Sequence, residues 1–224
     1  MEHQQHNKHD SYQNLRRRMV TEQLIRRGIK DQRVLEAMAQ VPRHEFMPPE
    51  RRSEAYYDGA VPIGHGQTIS QPYMVAYMVE ALRVEAGHRV LEVGAGSGYQ
   101  AAVLSHLADE VYAIELIPAL ASRAAETLEQ LGYDNAHIIT GDGSEGYAQA
   151  APYDRIIVAA AAPEISPRWV EQLRVGGLIV APLGERLTQV CTVVRKTEAG
   201  LETIQTIGCI FVPLLGRHGW DSEQ

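Results

Sequence analysis

The spacing richest in chemistry along this 224-residue chain lies in Val90-Leu-Glu-Val-Gly-Ala-Gly-Ser-Gly-Tyr99. Val90, Leu91 and Val93 are strand formers, and the strand they predict runs into a glycine-rich turn that opens a helix. Gly94, Gly96 and Gly98 put no Cβ in the way of a ligand, so backbone N–H groups can approach it closely. Glu115 follows Gly98 by 17 residues and ends a second apolar run, Val111-Tyr-Ala-Ile114. An acid in that place is positioned to accept hydrogen bonds from the two hydroxyls of a ribose. The glycine spacing is G-x-G-x-G rather than the G-x-G-x-x-G of dinucleotide folds, which points to S-adenosylmethionine rather than NAD.

A third loop, Thr140-Gly-Asp-Gly143, ends another strand and offers Asp142 as an acceptor for an adenine amino group. Ligands in such sheets bind beyond the carboxyl ends of the strands, where the strand order reverses, so the three loops are expected to converge. Ahead of them, Gly64-His-Gly-Gln-Thr-Ile-Ser70 is dense in hydrogen-bonding side chains. From spacing alone two readings stand equal: a loop folded over the transferable methyl group, or a surface loop with Ser70 capping the next helix. His44 and His65 are read as structural. No metal site is expected, since the body of the chain has no H-x-x-x-H pair or Cys/His cluster.

The length suits one α/β domain with a substantial core. The net charge of −7 argues against nucleic acid as a partner. No dense basic block stands out apart from Arg16-Arg-Arg18 and Arg26-Arg27, which are read as a solvated helix face. Cys191 and Cys209 form no C-x-x-C pair and are read as buried, reduced thiols. The longest apolar run, Ile156 to Pro163, is too short to span a bilayer, and the polar N-terminus lacks a signal-peptide core. No membrane partner is expected, and the cytoplasm is the expected compartment.

These residues need a frame. Residues 1–10 read as a flexible tail and 11–224 as one domain. Helical spacing over 11–40 is interrupted at Gly28, with Asp31 a cap for the second helix. Val61 to Tyr73 is too rich in Gly and Pro to suggest a regular element, and a helix follows over 72–82. From Arg89, strands at 89–93, 110–114, 136–140, 154–160 and 177–181 alternate with helices at 98–108, 118–131 and 167–174 and a helical turn near 144–150. That alternation predicts a parallel sheet covered on both faces. Gln189–Arg195 and Thr203–Val212, joined by a turn, predict an antiparallel pair on one edge.

Several longer motifs resemble the protein-L-isoaspartate O-methyltransferase family, from about residue 14 to residue 215. They are Val34-Leu-Glu-Ala-Met38, Val41-Pro-Arg-His-Glu-Phe46, Ala55-Tyr56 with Asp58, Pro62-Ile-Gly-His-Gly-Gln-Thr-Ile-Ser-Gln-Pro-Tyr-Met74, the Gly94 loop, Gly141-Asp-Gly143 and Phe211-Val-Pro-Leu214. The resemblance implies a Rossmann-like methyltransferase fold: a mostly parallel, doubly wound sheet, an antiparallel C-terminal strand pair and an N-terminal helical extension. Residues 11–82 would then carry the helices and active-site loop, and 89–224 the cofactor-binding sheet. It implies methyl transfer from S-adenosylmethionine to the α-carboxylate of L-isoaspartyl residues in damaged proteins and peptides. The ester would then close to a succinimide without the enzyme.

Under the same resemblance Ser70 is the active-site hydroxyl with Thr68 beside it, while Ile69 and the backbone at Val212 meet the substrate. Gln71, Pro72, Tyr73, Met74, Glu92, Gly94, Ala95, Gly96, Ser97, Gly98, Glu115, Leu116, Gly141, Asp142 and Gly143 surround the cofactor. Ala159 departs from the Thr of many relatives, which bears on support beneath the site. Leu215 departs from the hydroxyl of some, which bears on a cofactor contact. The acceptor carboxylate, with a reference pKa of about 3.5–4, is ionised at neutral pH and needs no general base. Two other readings remain open: a methyltransferase for a small molecule or nucleic-acid base, and a nucleotide-binding module without catalysis. A monomer is expected.

Overall fold

The computed structural model describes residues 2–185 and 188–220, with side chains described from residue 11 onward except at 205 and 206. Helix α1 (Glu2–Met19) runs through the stretch for which the sequence suggests a tail. It does not continue as an α-helix to Gly28. Val20–Leu24 forms a π-helical turn and Ile25–Arg27 a 3-10 turn, closed by Gly28 at φ 95°. Asp31 caps α2 (Gln32–Gln40) as expected, its carboxylate accepting from the Arg33 amide at 2.9 Å.

The segment expected to be irregular instead folds as a hairpin of β1 (Val61–Gly64) and β2 (Gln67–Ile69). Val61 and Ile63 are buried while Pro62 and Gly64 are exposed, so the pattern alternates as a strand should. Gly64, His65 and Gly66 all take positive φ and reverse the chain. Pro62 is tolerated because a two-stranded ribbon asks little of its N–H positions. Helix α3 (Pro72–Leu82) follows with the expected bounds. Its N-cap is Gln71, with no side-chain cap bond, so Ser70 is not the capping residue.

The main sheet is built from β3 (Arg89–Val93), β4 (Glu110–Glu115), β5 (Ala136–Thr140), β6 (Tyr153–Val158), β7 (Leu173–Glu185), β8 (Thr188–Thr197) and β9 (Gly200–Cys209). Their spatial order is β5-β4-β3-β6-β7-β8-β9, parallel from β5 to β7 and antiparallel through β8 and β9. Between the strands lie α4 (Tyr99–Ser105), α5 (Pro118–Leu131) and α6 (Pro167–Gln172). Strand β7 begins well before residue 177, because Leu173 already pairs with Tyr153 and ends the helix expected to reach 174. Near 144–150 the chain makes two 3-10 turns, Gly143–Glu145 and Ala148–Ala150.

Alternate residues of the central strands serve opposite layers. Val90 and Ile157 join the core with α3, α4 and α5, while Leu91, Val93, Ile156 and Val158 pack with Tyr153 and Trp169. Burial on both faces explains why these strands read as unbroken apolar runs. The strand order reverses between β3 and β6, so the crevice of an open α/β sheet lies beyond their carboxyl ends.

Candidate functional site

The loop after β3 is held from below. The amides of Gly94 and Ala95 both donate to the Ile114 carbonyl at 2.9 Å. Gly96, at φ 55°, donates its amide to Glu115 Oε2 at 2.7 Å, and the Ile117 amide donates to Oε1 at 2.9 Å. Glu115 is therefore a fixed, buried carboxylate that bridges the ends of β3 and β4. A carboxylate has about four acceptor positions, so these two amides leave lone pairs free. At Gly98 (φ 84°) a Cβ would come within 3.1 Å of Ala124, so the glycine also lets α4 pack against α5.

Glu92 lies fully buried at the carboxyl end of β3. Gln100 Nε2 donates to its Oε1 at 3.1 Å, and Oε2 has no partner. Burial pushes its carboxyl well above the usual range; the hydrogen bond from Gln100 opposes the shift and the charge of Glu115 adds to it. Glu92 lines a chamber together with Gly94, Ala95, Gly96, Ser97, Ile69 and Ser70. An unpaired buried acceptor facing a glycine cradle fits the α-ammonium end of S-adenosylmethionine, whose charge would repair both faults. On the other side of the loop, Gly94, Gly96, Glu115, Leu116 and Gly143 line a second chamber, closed by Val212 to Leu215.

Both chambers share Thr68 and Ala159 with a wide cleft of about 860 Å³. Ser70 lines the cleft and the Glu92 chamber, and Val212 the cleft and the Glu115 chamber. The Ser70 hydroxyl makes no hydrogen bond to a described residue, while its carbonyl accepts from Arg43 Nη2 at 2.8 Å. Arg43 is fully buried, donates through Nε to the Ala55 carbonyl at 2.6 Å, and lies 4.7 Å from the Tyr99 ring centroid. Burial lowers its pKa, and no carboxylate among the described residues pairs with it to offset the cost. Arg43 thus ties the Ser70 turn to the segment at Ala55.

The remaining residues divide. Gln71, Tyr73 and Met74 line the wide cleft rather than either chamber at the glycine loop, and Pro72 is the buried first residue of α3. Gly141 and Asp142 line neither chamber. Asp142 accepts from the Ser144 amide (2.9 Å), the Ser144 hydroxyl (2.7 Å) and the Arg217 amide (2.8 Å). Burial opposes its ionisation, but these hydrogen bonds outweigh it and hold the carboxyl below the usual range. Ala159 stands at the junction of the three cavities, and Leu215 in the wall of the Glu115 chamber.

His44 is structural as expected: it is stacked on Tyr12 with centroids 4.1 Å apart, and Nδ1 meets the Tyr56 hydroxyl at 2.9 Å. Its other ring nitrogen lies 3.3 Å from the carboxylate of the next residue, Glu45. His65 sits at the tip of the hairpin, with no hydrogen bond to a described residue. Cys191 is buried, its thiol pushed up to about 12 by burial, but Cys209 is only half-buried and lines the cleft. Arg27, Ala60 and Ile207–Phe211 also line the cleft, and nothing in their spacing announced it.

The family model described as Protein-L-isoaspartate(D-aspartate) O-methyltransferase matches residues 15–219. A Roseiflexus castenholzii protein-L-isoaspartate O-methyltransferase is 52% identical over 207 residues, covering 92% of this chain and 95% of its own. A second relative, protein-L-isoaspartate O-methyltransferase 2 of an Anaeromyxobacter species, is 55% identical over 201 residues, 89% of this chain and 82% of its own. Among solved structures, one named protein-L-isoaspartate O-methyltransferase aligns with TM-score 0.82 and 29% identity over 91% of this chain and 67% of that one. A Plasmodium falciparum structure named for the same activity, in complex with S-adenosyl-L-homocysteine, aligns with TM-score 0.76 and 27% identity over 89% and 98%. By the family model over residues 15–219 and these relatives, the chain belongs to the protein-L-isoaspartate O-methyltransferase family.

Proposed function

We propose that this S-adenosylmethionine-dependent methyltransferase holds its cofactor in the two chambers at the glycine loop and its isoaspartyl acceptor in the wide cleft, with Ser70 at the mouth between them. The observation that carries this reading is that Thr68 and Ala159 border all three cavities and Ser70 borders two of them. When bound, S-adenosylmethionine supplies a methyl group on a sulfonium, which an ionised carboxylate takes with no proton to move. The chain's part is therefore placement. Glu92 receives the α-ammonium, the amides of Gly94–Gly98 follow the methionine portion, and Glu115 accepts from the ribose hydroxyls. Ser70 donates its hydroxyl to one oxygen of the acceptor carboxylate and leaves the other free to attack. Thr68 stands beside it and Val212 confines the peptide, while Ile69, expected from the sequence to meet the substrate, lines the Glu92 chamber instead of the cleft. Holding two reactants in line is worth about 7–11 kcal/mol of barrier in favourable cases.

For the adenine, the surroundings are Leu116, Gly143 and Leu214–Leu215. Asp142 supports this wall by anchoring Arg217 and Ser144, rather than acting as the first acceptor. Damaged proteins and peptides with isoaspartyl residues are the partners, and a cytoplasmic monomer is the form in which we place the enzyme. No helix among the described residues is long and apolar enough to cross a membrane. The reading is tested with labelled S-adenosylmethionine, an isoaspartyl peptide and its aspartyl twin. Label should enter the first alone, as a base-labile methyl ester; label in both or in neither overturns the assignment.

A further inference from the structure

Arg27 is the one charged side chain lining the wide cleft among the described residues, and it is held as a recognition group is held. It reaches the cleft through a local irregularity. The π-helical turn at Val20–Leu24 inserts a residue, which rotates everything after it by about 100° about the helix axis. Gln23 Nε2 then donates to the Tyr56 carbonyl at 2.9 Å, pinning the turn beside Asp58. The guanidinium carbon lies 3.7 Å from the centroid of the Tyr73 ring, which fixes its plane. Nη1 donates to both oxygens of Asp58, at 3.2 and 3.3 Å, and Asp58 is itself held by Gln71 Nε2 at 2.7 Å. Nε and Nη2 make no hydrogen bond to a described residue. One edge of the fork is thus anchored and the other is open.

We propose that Arg27 is a specificity residue that selects isoaspartyl sites flanked by an acidic residue; this rests on the isoaspartyl reading above. An oriented guanidinium with a free edge matches a carboxylate, and a fork that holds one carboxylate can hold a second on its other edge. Ile207, Ile210 and Phe211 make part of the lining apolar, and among the described residues a negative side chain in the cleft finds a positive partner only at Arg27. The reacting carboxylate is not its ligand. That group belongs at the Ser70 junction, where a two-pronged charged bond would blunt its attack.

The test compares isoaspartyl peptides carrying Glu or Gln at each neighbouring position in turn. For the wild-type enzyme, kcat/KM should favour Glu at one neighbour by roughly threefold to tenfold, through KM, as expected of a contact remote from the reacting atoms. The preference should shrink with added salt. Arg27→Gln should bring the ratio close to one, and Arg27→Lys should restore part of it, since it keeps the charge but not the fork. The ratio is internal to each variant, so a folding defect does not imitate the effect. Equal rates on Glu and Gln peptides in the wild type, or the same ratio in Arg27→Gln, overturn the proposal alone. A fall in kcat on every peptide in Arg27→Gln, at a folded fraction matched to wild type by active-site titration with the cofactor, also overturns it, by placing Arg27 on the reacting carboxylate. Failure to methylate any isoaspartyl peptide overturns the isoaspartyl reading and this proposal together.

Discussion

At the residue scale, the hydroxyl of Ser70 and the carboxyl of Glu92 make opposite demands on their surroundings. The Ser70 hydroxyl neither caps α3 nor hydrogen-bonds a described residue, so its removal should cost little stability. Ser70→Ala should lower kcat on an isoaspartyl peptide by about tenfold to a thousandfold while cofactor affinity changes little, consistent with the loss of one oriented hydrogen bond. Calorimetry alongside the kinetics checks this, and near-normal turnover would remove Ser70 from the chemistry. Glu92, in contrast, is raised by burial above its unfolded pKa. An acid shifted upward binds more protons folded than unfolded between the two values, so stability there falls as pH rises. Glu92→Gln should flatten that slope and stabilise the ligand-free protein near neutral pH, yet weaken S-adenosylmethionine binding. Thermal melts from pH 5 to pH 8 together with a binding isotherm read both effects; a variant that gains stability and keeps its affinity would clear Glu92 of a cofactor role.

At the scale of elements, two supports decide whether the site keeps its shape. Arg43 joins Ala55 to Ser70 through carbonyls that no other described residue satisfies from that side. Arg43→Met leaves the buried Ala55 carbonyl and the half-buried Ser70 carbonyl without this donor, and a buried acceptor left unpaired costs about 1–3 kcal/mol. Arg43→Lys keeps the charge but cannot span both carbonyls, so activity should fall further than stability. Denaturant titration and turnover measured on the same preparations separate the two. Asp142 plays the equivalent part on the other side, clamping the amides of Ser144 and Arg217. Its pKa is lowered, so its contribution is present above the unfolded value and is lost as pH falls through the folded one. Asp142→Asn should cost about 1–2 kcal/mol and speed amide exchange in 216–219, because one oxygen must replace two. Unchanged exchange there would mean that the C-terminal segment is held by other contacts, such as Trp220 Nε1 to the Ala161 carbonyl at 3.1 Å.

For the molecule as a whole, the charge of −7 and the absence of any long apolar helix among the described residues bear on behaviour rather than chemistry. A net charge of this size opposes self-association, and sedimentation should give a particle of one chain, 24.8 kDa. A dimer at micromolar concentration would overturn that expectation. The alternation from β3 to β7 was legible along the chain because strands buried on both faces must be apolar throughout and helices between them must be amphipathic. The glycine loop, Glu115 and the bounds of α3, α5 and β5 were legible for the same reason: each answers to a local rule of spacing, capping or backbone freedom. The hairpin at Val61–Ile69 was not, because its Gly and Pro content speaks for irregularity while its burial alternation shows only once the sheet is in place. What only the tertiary structure decided was which groups face one another. It turned Asp142 toward Arg217, buried Arg43 against the Ser70 turn, and rotated Arg27 into the cleft through one inserted residue. Such placements arise from contacts between segments 27 to 75 positions apart, and no periodicity along the chain carries that information.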